Sequence, residues 1–139
     1  MKLFSAQQIR NCDQFTIENE PISSINLVER AAETCAKWIE NHFDKIKEFQ
    51  VFCGNGNNGA DGFALARILY TKGFNVNIFI DEKNSNYSPE AEINLKKIRE
   101  ISGITVYDFN EIDQVLFQEN SVLVDAIFGT GLNRKIENS

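Results

Sequence analysis

One stretch, Phe52-Cys53-Gly54-Asn55-Gly56-Asn57-Asn58-Gly59-Ala60-Asp61-Gly62, constrains what this chain can fold into more than any other. It places four glycines within nine residues, directly after a short apolar run and directly before a helical pattern. Glycine tolerates positive φ and close backbone approach, and Asn and Asp are the next most tolerant of left-handed conformations. A strand that ends in such a loop and then enters a helix aims free backbone N–H groups at one point. With the helix dipole, those groups favour an anion or a nucleotide. Gly54, Gly56 and Gly59 also satisfy G-x-G-x-x-G, a dinucleotide-binding spacing when it lies between strand and helix. A second glycine loop, Phe128-Gly129-Thr130-Gly131, adds to the signal. Ordinary tight turns between strand and helix use the same residues.

Composition narrows the class. The 139 residues suggest one domain, and 42% hydrophobic with 24% charged residues is the balance of a globular protein with a core. A formal net charge of −6 without a basic stripe speaks against nucleic acid as a partner. Cys12, Cys35 and Cys53 are odd in number and lack C-x-x-C spacing, so they support neither a disulfide framework nor zinc. The N-terminus turns polar too early for a signal peptide, and no apolar run approaches membrane-spanning length. The expectation is a cytoplasmic protein with no membrane contact.

Along the chain, Ser5-x-x-Gln8 is a capping-box pattern that predicts a helix with Ile9, Cys12 and Phe15 on a narrow apolar face, stopped by Pro21. Ser23-Ser24 caps a second helix whose stripe is Leu27, Val28, Ala31, Cys35, Trp38, Ile39 and Phe43. Ala31, Ala32 and Ala36 suit it to close packing. His42, the single histidine, falls near its end, where it can meet the last carbonyls rather than serve as ligand or base. From residue 49 the rhythm alternates. Strands are expected at 49–53, 76–80, 105–109 and 122–128, and helices at 60–72, 88–101 and 111–118. Gly73 closes the first of these helices at C′, and Ser88-Pro89 opens the next as N-cap and N1. Such alternation means an α/β fold, a mostly parallel sheet with helices on both faces and right-handed crossovers. The expected architecture is a Rossmann-like three-layer αβα sandwich (residues 49–139) preceded by two N-terminal helices (residues 1–48). In such sheets ligands bind beyond the carboxyl ends of the strands. If the first and last of these strands are neighbours, both glycine loops line one crevice.

Two chemistries compete for that crevice. In a dehydrogenase domain, Asp81, 22 residues after Gly59, would be the ribose-binding acid, unless it only caps a strand end. Against this, Asp61 would sit in the first helical turn, where a carboxylate repels a pyrophosphate. The two leading helices also fit that domain poorly. The alternative starts from Asn57, Asn58, Asp61 and Asp125, oxygen donors at strand ends that suit a hard cation or ribose hydroxyls. Asp125 interrupts the apolar run Val122-Leu123-Val124 and Ala126-Ile127-Phe128, where a carboxylate needs a partner. A plain alternative is that Asp125 bonds backbone N–H groups of the next loop.

The residues Cys53 to Gly62 resemble the signature loop of the YjeF N-terminal domain, the NAD(P)H-hydrate epimerases. Val124-Asp125-Ala126-Ile127-Phe128-Gly129-Thr130-Gly131-Leu132-Asn133-Arg134 resembles its second motif. Ser5-Ala6-Gln7-Gln8-Ile9-Arg10, Asp13 and Leu27-Val28-Glu29-Arg30-Ala31-Ala32 resemble its opening. Asn55 and Ala60 stand where that family commonly has Pro and Gly, and Ala60 requires a backbone without positive φ. The resemblance implies an isomerase that interconverts the R and S forms of hydrated NADH or NADPH, NAD(P)HX, for a partner ADP- or ATP-dependent dehydratase, fused or separate. It implies substrate binding by Asn57, Asn58, Gly59, Ala60 and Asp61, and by Gly129, Thr130, Gly131, Leu132, Asn133, Arg134 and Lys135. It implies a potassium ion held by Asn58 and Asp125, and a homo-oligomer is expected. The family domain continues into another strand that ends in a proton-transferring Asp and a Pro-Ser-Gly loop. Neither is present before Ser139, so the chain reads as the front of a longer domain, with a sheet edge left uncovered after its last strand. The same fold also serves as a non-catalytic nucleotide-binding or dimerisation scaffold, and an NAD(P)-dependent oxidoreductase domain remains the other alternative.

Overall fold

A computed structural model describes residues 2–5, 24–114 and 120–127. Its elements in chain order are β1 (Lys2–Ser5), α1 (Ser24–His42), β2 (Glu48–Cys53), α2 (Asn57–Thr71), β3 (Asn75–Ile80), α3 (Pro89–Arg99), β4 (Thr105–Asp108), a 3-10 helix (Phe109–Gln114) and β5 (Ser121–Ala126). The strands form one five-stranded sheet of order β1-β5-β2-β3-β4, parallel throughout. The α/β expectation holds. β2 and β5 are neighbours, as the two-loop crevice requires. No described helix is long and apolar enough to cross a membrane.

Strand alternation sorts the side chains between two faces. Phe49, Val51, Cys53, Val76, Ile78, Ile80, Val122, Val124 and Ala126 are buried in one core with residues of all three α-helices. The opposite face carries a stacked row, Phe52 on Phe79 at 4.7 Å and Phe79 on Tyr107 at 5.1 Å. Phe109, at the start of the 3-10 helix, approaches Phe52 at 6.4 Å and brings a helical element to this second face.

α2 is the central helix. It packs on β2, β3 and β5 with α1 and α3 on either side, and residues 59–66 are all buried. A helix apolar all round its circumference belongs in such a place. Ala31, Ala32 and Ala36 of α1 are fully buried, and an Arg67–Glu29 ion pair ties α1 to α2. Gly62 is needed for the seat on the sheet. A Cβ there would lie 2.6 Å from the Ala126 Cβ and 2.8 Å from the Cys53 Sγ.

Three expectations need correction. Lys2–Ser5 form a strand paired in parallel with β5, so β5 has neighbours on both sides; four residues carry too little periodicity to announce a strand. The helix expected after Ser5 lies outside the described residues. Trp38 is 43% exposed. It falls on the shoulder of the α1 stripe and stacks on His42 at 4.0 Å. α2 begins at Asn57, three residues earlier than expected.

Gly62→Ala should lower stability by about 1–3 kcal/mol in urea denaturation, because overpacking against rigid neighbours outweighs the gain of about 1 kcal/mol in helix propensity. A stabilised variant would show that the interface has slack.

Candidate functional site

The carboxyl ends of the strands enclose a cleft of about 250 Å³ lined by Cys53, Gly54, Asn55, Asp81, Asn84, Tyr87, Phe109 and Ile127. Each belongs to a segment that leaves a strand: β2, β3, β4 or β5. Its walls are joined by hydrogen bonds. Gly54 N–H donates to the Ala126 carbonyl at 3.1 Å, and Ser88 N–H donates to the Asn55 carbonyl at 2.8 Å. The Asp108 carboxylate accepts from Glu82 N–H at 2.7 Å and from Asn110 N–H at 3.1 Å. Glu111 in turn accepts from Asp108 N–H at 2.7 Å. This reciprocal cap, of the capping-box kind, starts the 3-10 helix and clamps the β4 end to the loop after β3.

The glycine loop works through space rather than through left-handed φ. Among the described residues only Gly73, at the α2 terminus, has positive φ (101°), and no residue other than glycine does. Ala60 therefore meets its requirement. A Cβ on Gly59 would lie 1.9 Å from the Gly54 carbonyl oxygen, and one on Gly54 would lie 2.8 Å from that of Ile127. Nothing stands within 4 Å of a Cβ on Gly56. Gly56 is the N-cap of α2 and offers no side-chain cap. The first intrahelical bond runs from Ala60 N–H to the Gly56 carbonyl, at 3.1 Å. The N–H groups of Asn57, Asn58 and Gly59 precede it and point out of the helix end.

The expected site residues separate into layers. Asn57 is exposed and Asn58 half-buried, whereas Gly59, Ala60 and Asp61 are buried. Because α2 starts at Asn57, Asp61 lies in the second turn at 1% exposure. It is not the surface charge expected to repel a pyrophosphate. Its carboxylate bears on Cys53 instead: burial first and Asp61 second push that thiol's pKa well up. Asp125 is half-buried on the sheet face away from α2, in register with Phe52. Its Oδ1 accepts from Ile127 N–H at 3.1 Å, the plain alternative foreseen for it. Gly129, Thr130, Gly131, Leu132, Asn133, Arg134 and Lys135 lie outside the described residues. His42 accounts for itself through a 2.7 Å hydrogen bond between Nδ1 and the Trp38 carbonyl. No cluster of three or more His, Cys, Asp or Glu able to hold a metal occurs among the described residues.

Sequence reasoning missed Asn84, Tyr87, Phe109 and Ile127. The available signal was position alone, since each lies just past a strand end on the ligand side of a parallel sheet.

The Asp108 clamp makes a prediction. Hydrogen bonds, that from Glu82 N–H first, hold its pKa below the ordinary carboxylate value. A depressed folded pKa contributes stability that is present above the unfolded value and lost as pH falls through the folded one. Asp108→Asn should therefore flatten the fall of Tm below about pH 4. An unchanged acid limb would remove Asp108 as a contributor.

Comparison with known proteins agrees with this architecture. A solved yeast structure superposes with a TM-score of 0.66 at 24% identity, covering 93% of this chain and 57% of that one. The NAD(P)H-hydrate epimerase of Leuconostoc citreum is 36% identical over 98% of this chain and 59% of its own length. A bifunctional NAD(P)H-hydrate repair enzyme of Dictyoglomus turgidum is 34% identical over 99% of this chain and 27% of its own length. The chain thus spans about three fifths of the length of the single-function relative. The family model for the YjeF-related protein N-terminus matches residues 24–139. With the glycine loop at the end of the central strand, Asp125 on the adjoining one and this match over most of its length, the chain is a member of the YjeF-related N-terminus family.

Proposed function

We propose that this protein epimerises the R and S forms of hydrated NADH and NADPH, as an isomerase in the repair of nicotinamide cofactors. The observation that carries the reading is the uncapped start of α2 at the end of β2, next to the β5 end that bears Asp125. The relatives named as NAD(P)H-hydrate epimerases support it. Inverting one carbon requires a bond there to be broken and remade on the other face, so a site must hold both halves of a long substrate still. The N–H groups of Asn57, Asn58 and Gly59 are suited to the pyrophosphate. The Asn57 and Asn58 amides are suited to hydroxyls, while buried Gly59, Ala60 and Asp61 shape the support beneath them. Gly129, Thr130, Gly131, Leu132, Asn133, Arg134 and Lys135 complete the substrate loop in this reading.

We assign the Asn58 amide and the Asp125 carboxylate to a potassium ion. Their chemistry fits: both offer oxygen donors suited to a hard cation, and the Ile127 N–H occupies only part of the carboxylate's accepting capacity. A bound potassium ion would supply fixed positive charge against substrate oxygens. The product form passes to an ADP- or ATP-dependent dehydratase, fused or separate; the bifunctional Dictyoglomus turgidum relative supports that pairing. A cytoplasmic setting belongs to the same reading, in keeping with the buried thiol of Cys53. Self-association belongs to it too, and Trp38 and Ile46 (43% and 70% exposed) offer apolar surface for it.

Epimerisation of hydrated NADH, followed by NMR or chiral separation, tests the reading. Turnover should require potassium and fall roughly 100-fold in Asp125→Ala. Asp125→Asn, which keeps an acceptor for Ile127 N–H, should also lose potassium dependence. Tight NAD(P) binding without turnover would favour the oxidoreductase-type reading, and the absence of both would favour a scaffold.

A further inference from the structure

We propose that Asp81 sets substrate preference. Its carboxylate receives the vicinal hydroxyls of the adenosine ribose and weakens the binding of a 2′-phosphate, so that of the two hydrates the site favours the NADH-derived one. This rests on the nucleotide site described above and adds a determinant of which nucleotide enters it.

Sequence spacing left open whether Asp81 only caps a strand end. The fold places it in the cleft with Gly54 and Asn55. It is the first residue after β3, which pairs directly with β2 on the side away from β5. A pyrophosphate over the start of α2 therefore has Asp125 on one flank and Asp81 on the other. With the potassium ion assigned to Asp125, we place the reacting half of the substrate on that flank and the adenosine half on the β3 side. There Asn84 adds an amide, and Tyr87 and Phe109 add aromatic surface suited to a base.

Charge decides the preference. Asp81 is the one formally charged side chain among the described residues lining the cleft, and no Lys or Arg is among them. The buried Cys53 stays a neutral thiol, and burial raises the Tyr87 pKa too. Sites that take a 2′-phosphate place an Arg where this one has a carboxylate. Two ribose hydroxyls can donate to a carboxylate in charge-assisted bonds, whereas a phosphate can only repel it. The carboxylate is also held in place. Its Oδ1 accepts from Lys83 N–H at 3.2 Å, and the Asp81 carbonyl accepts from Asn84 N–H at 3.1 Å.

Titration calorimetry with NAD+ and NADP+ on wild type, Asp81→Asn and Asp81→Arg tests the assignment. Asp81→Asn keeps an oxygen for Lys83 N–H, so the turn persists. Wild type should bind NAD+ about 10- to 100-fold more tightly than NADP+. Asp81→Asn should narrow that ratio, and Asp81→Arg should invert it. Equal wild-type affinities, no binding of either nucleotide, or one ratio shared by all three proteins would overturn the proposal. The two readings fail separately. Discrimination that depends on Asp81 without epimerisation removes only the epimerase reading. Epimerisation of both hydrates with equal kcat/KM, unchanged in Asp81→Arg, removes only the role of Asp81.

Discussion

The Gly59 backbone lies against the Gly54 carbonyl so closely that an added Cβ would come within 1.9 Å of its oxygen, and this contact governs the arrangement around it. It allows the first turn of α2 to close over the end of β2. One turn later, Gly62 lets the same helix settle on Ala126 and Cys53. With α2 seated, α1 and α3 have a helix to flank, and the apolar side of the sheet is covered. The helix end also has no intrahelical partner for its first N–H groups, and it follows directly on Gly54 and Asn55, which line the cleft. Packing and binding capacity therefore depend on the same absence of side chains.

The cleft is assembled from strand ends that are far apart in the chain, and short polar bonds join them. Gly54 N–H reaches the Ala126 carbonyl, Ser88 N–H reaches Asn55, and the Asp108 carboxylate gathers Glu82 and Asn110. Two of these four bonds run between backbone groups and tolerate many side-chain changes, whereas the other two depend on the Asp108 carboxylate. Such a frame suits a site whose specificity rests on a few polar groups placed around it. It separates two carboxylates by strand: Asp125 on β5 and Asp81 beyond β3, with the start of α2 between them.

The two faces of the sheet also divide the work. The face toward α2 is a continuous apolar core. The other carries the Phe52–Phe79–Tyr107 row, polar Gln50 and Asn77, and Asp125. Asp125 interrupts an apolar run in the sequence, yet alternation puts it on the polar side. A carboxylate there is half-buried rather than stranded in the core.

The α/β alternation, the parallel sheet, the Ser88 cap, the Gly73 terminus and the position of the glycine loop were legible in the residues, because each is set by local periodicity or by the conformation a single residue permits. So was the family, since its two motifs are contiguous stretches. Other features were settled only by tertiary structure. Lys2–Ser5 became a strand because β5 offered an edge to pair with, a non-local event that four residues cannot signal. Asp61 fell in the second turn rather than the first because α2 began three residues early, and it is buried because that stretch of α2 is enclosed on all sides by the sheet and the flanking helices, a packing that local sequence does not show. Asp81, ambiguous by spacing, acquired a place beside the glycine loop only when β3 paired with β2. Local propensity determines which elements form. Which strand ends meet, and so which side chains share a cleft, depends on contacts between residues distant in the chain.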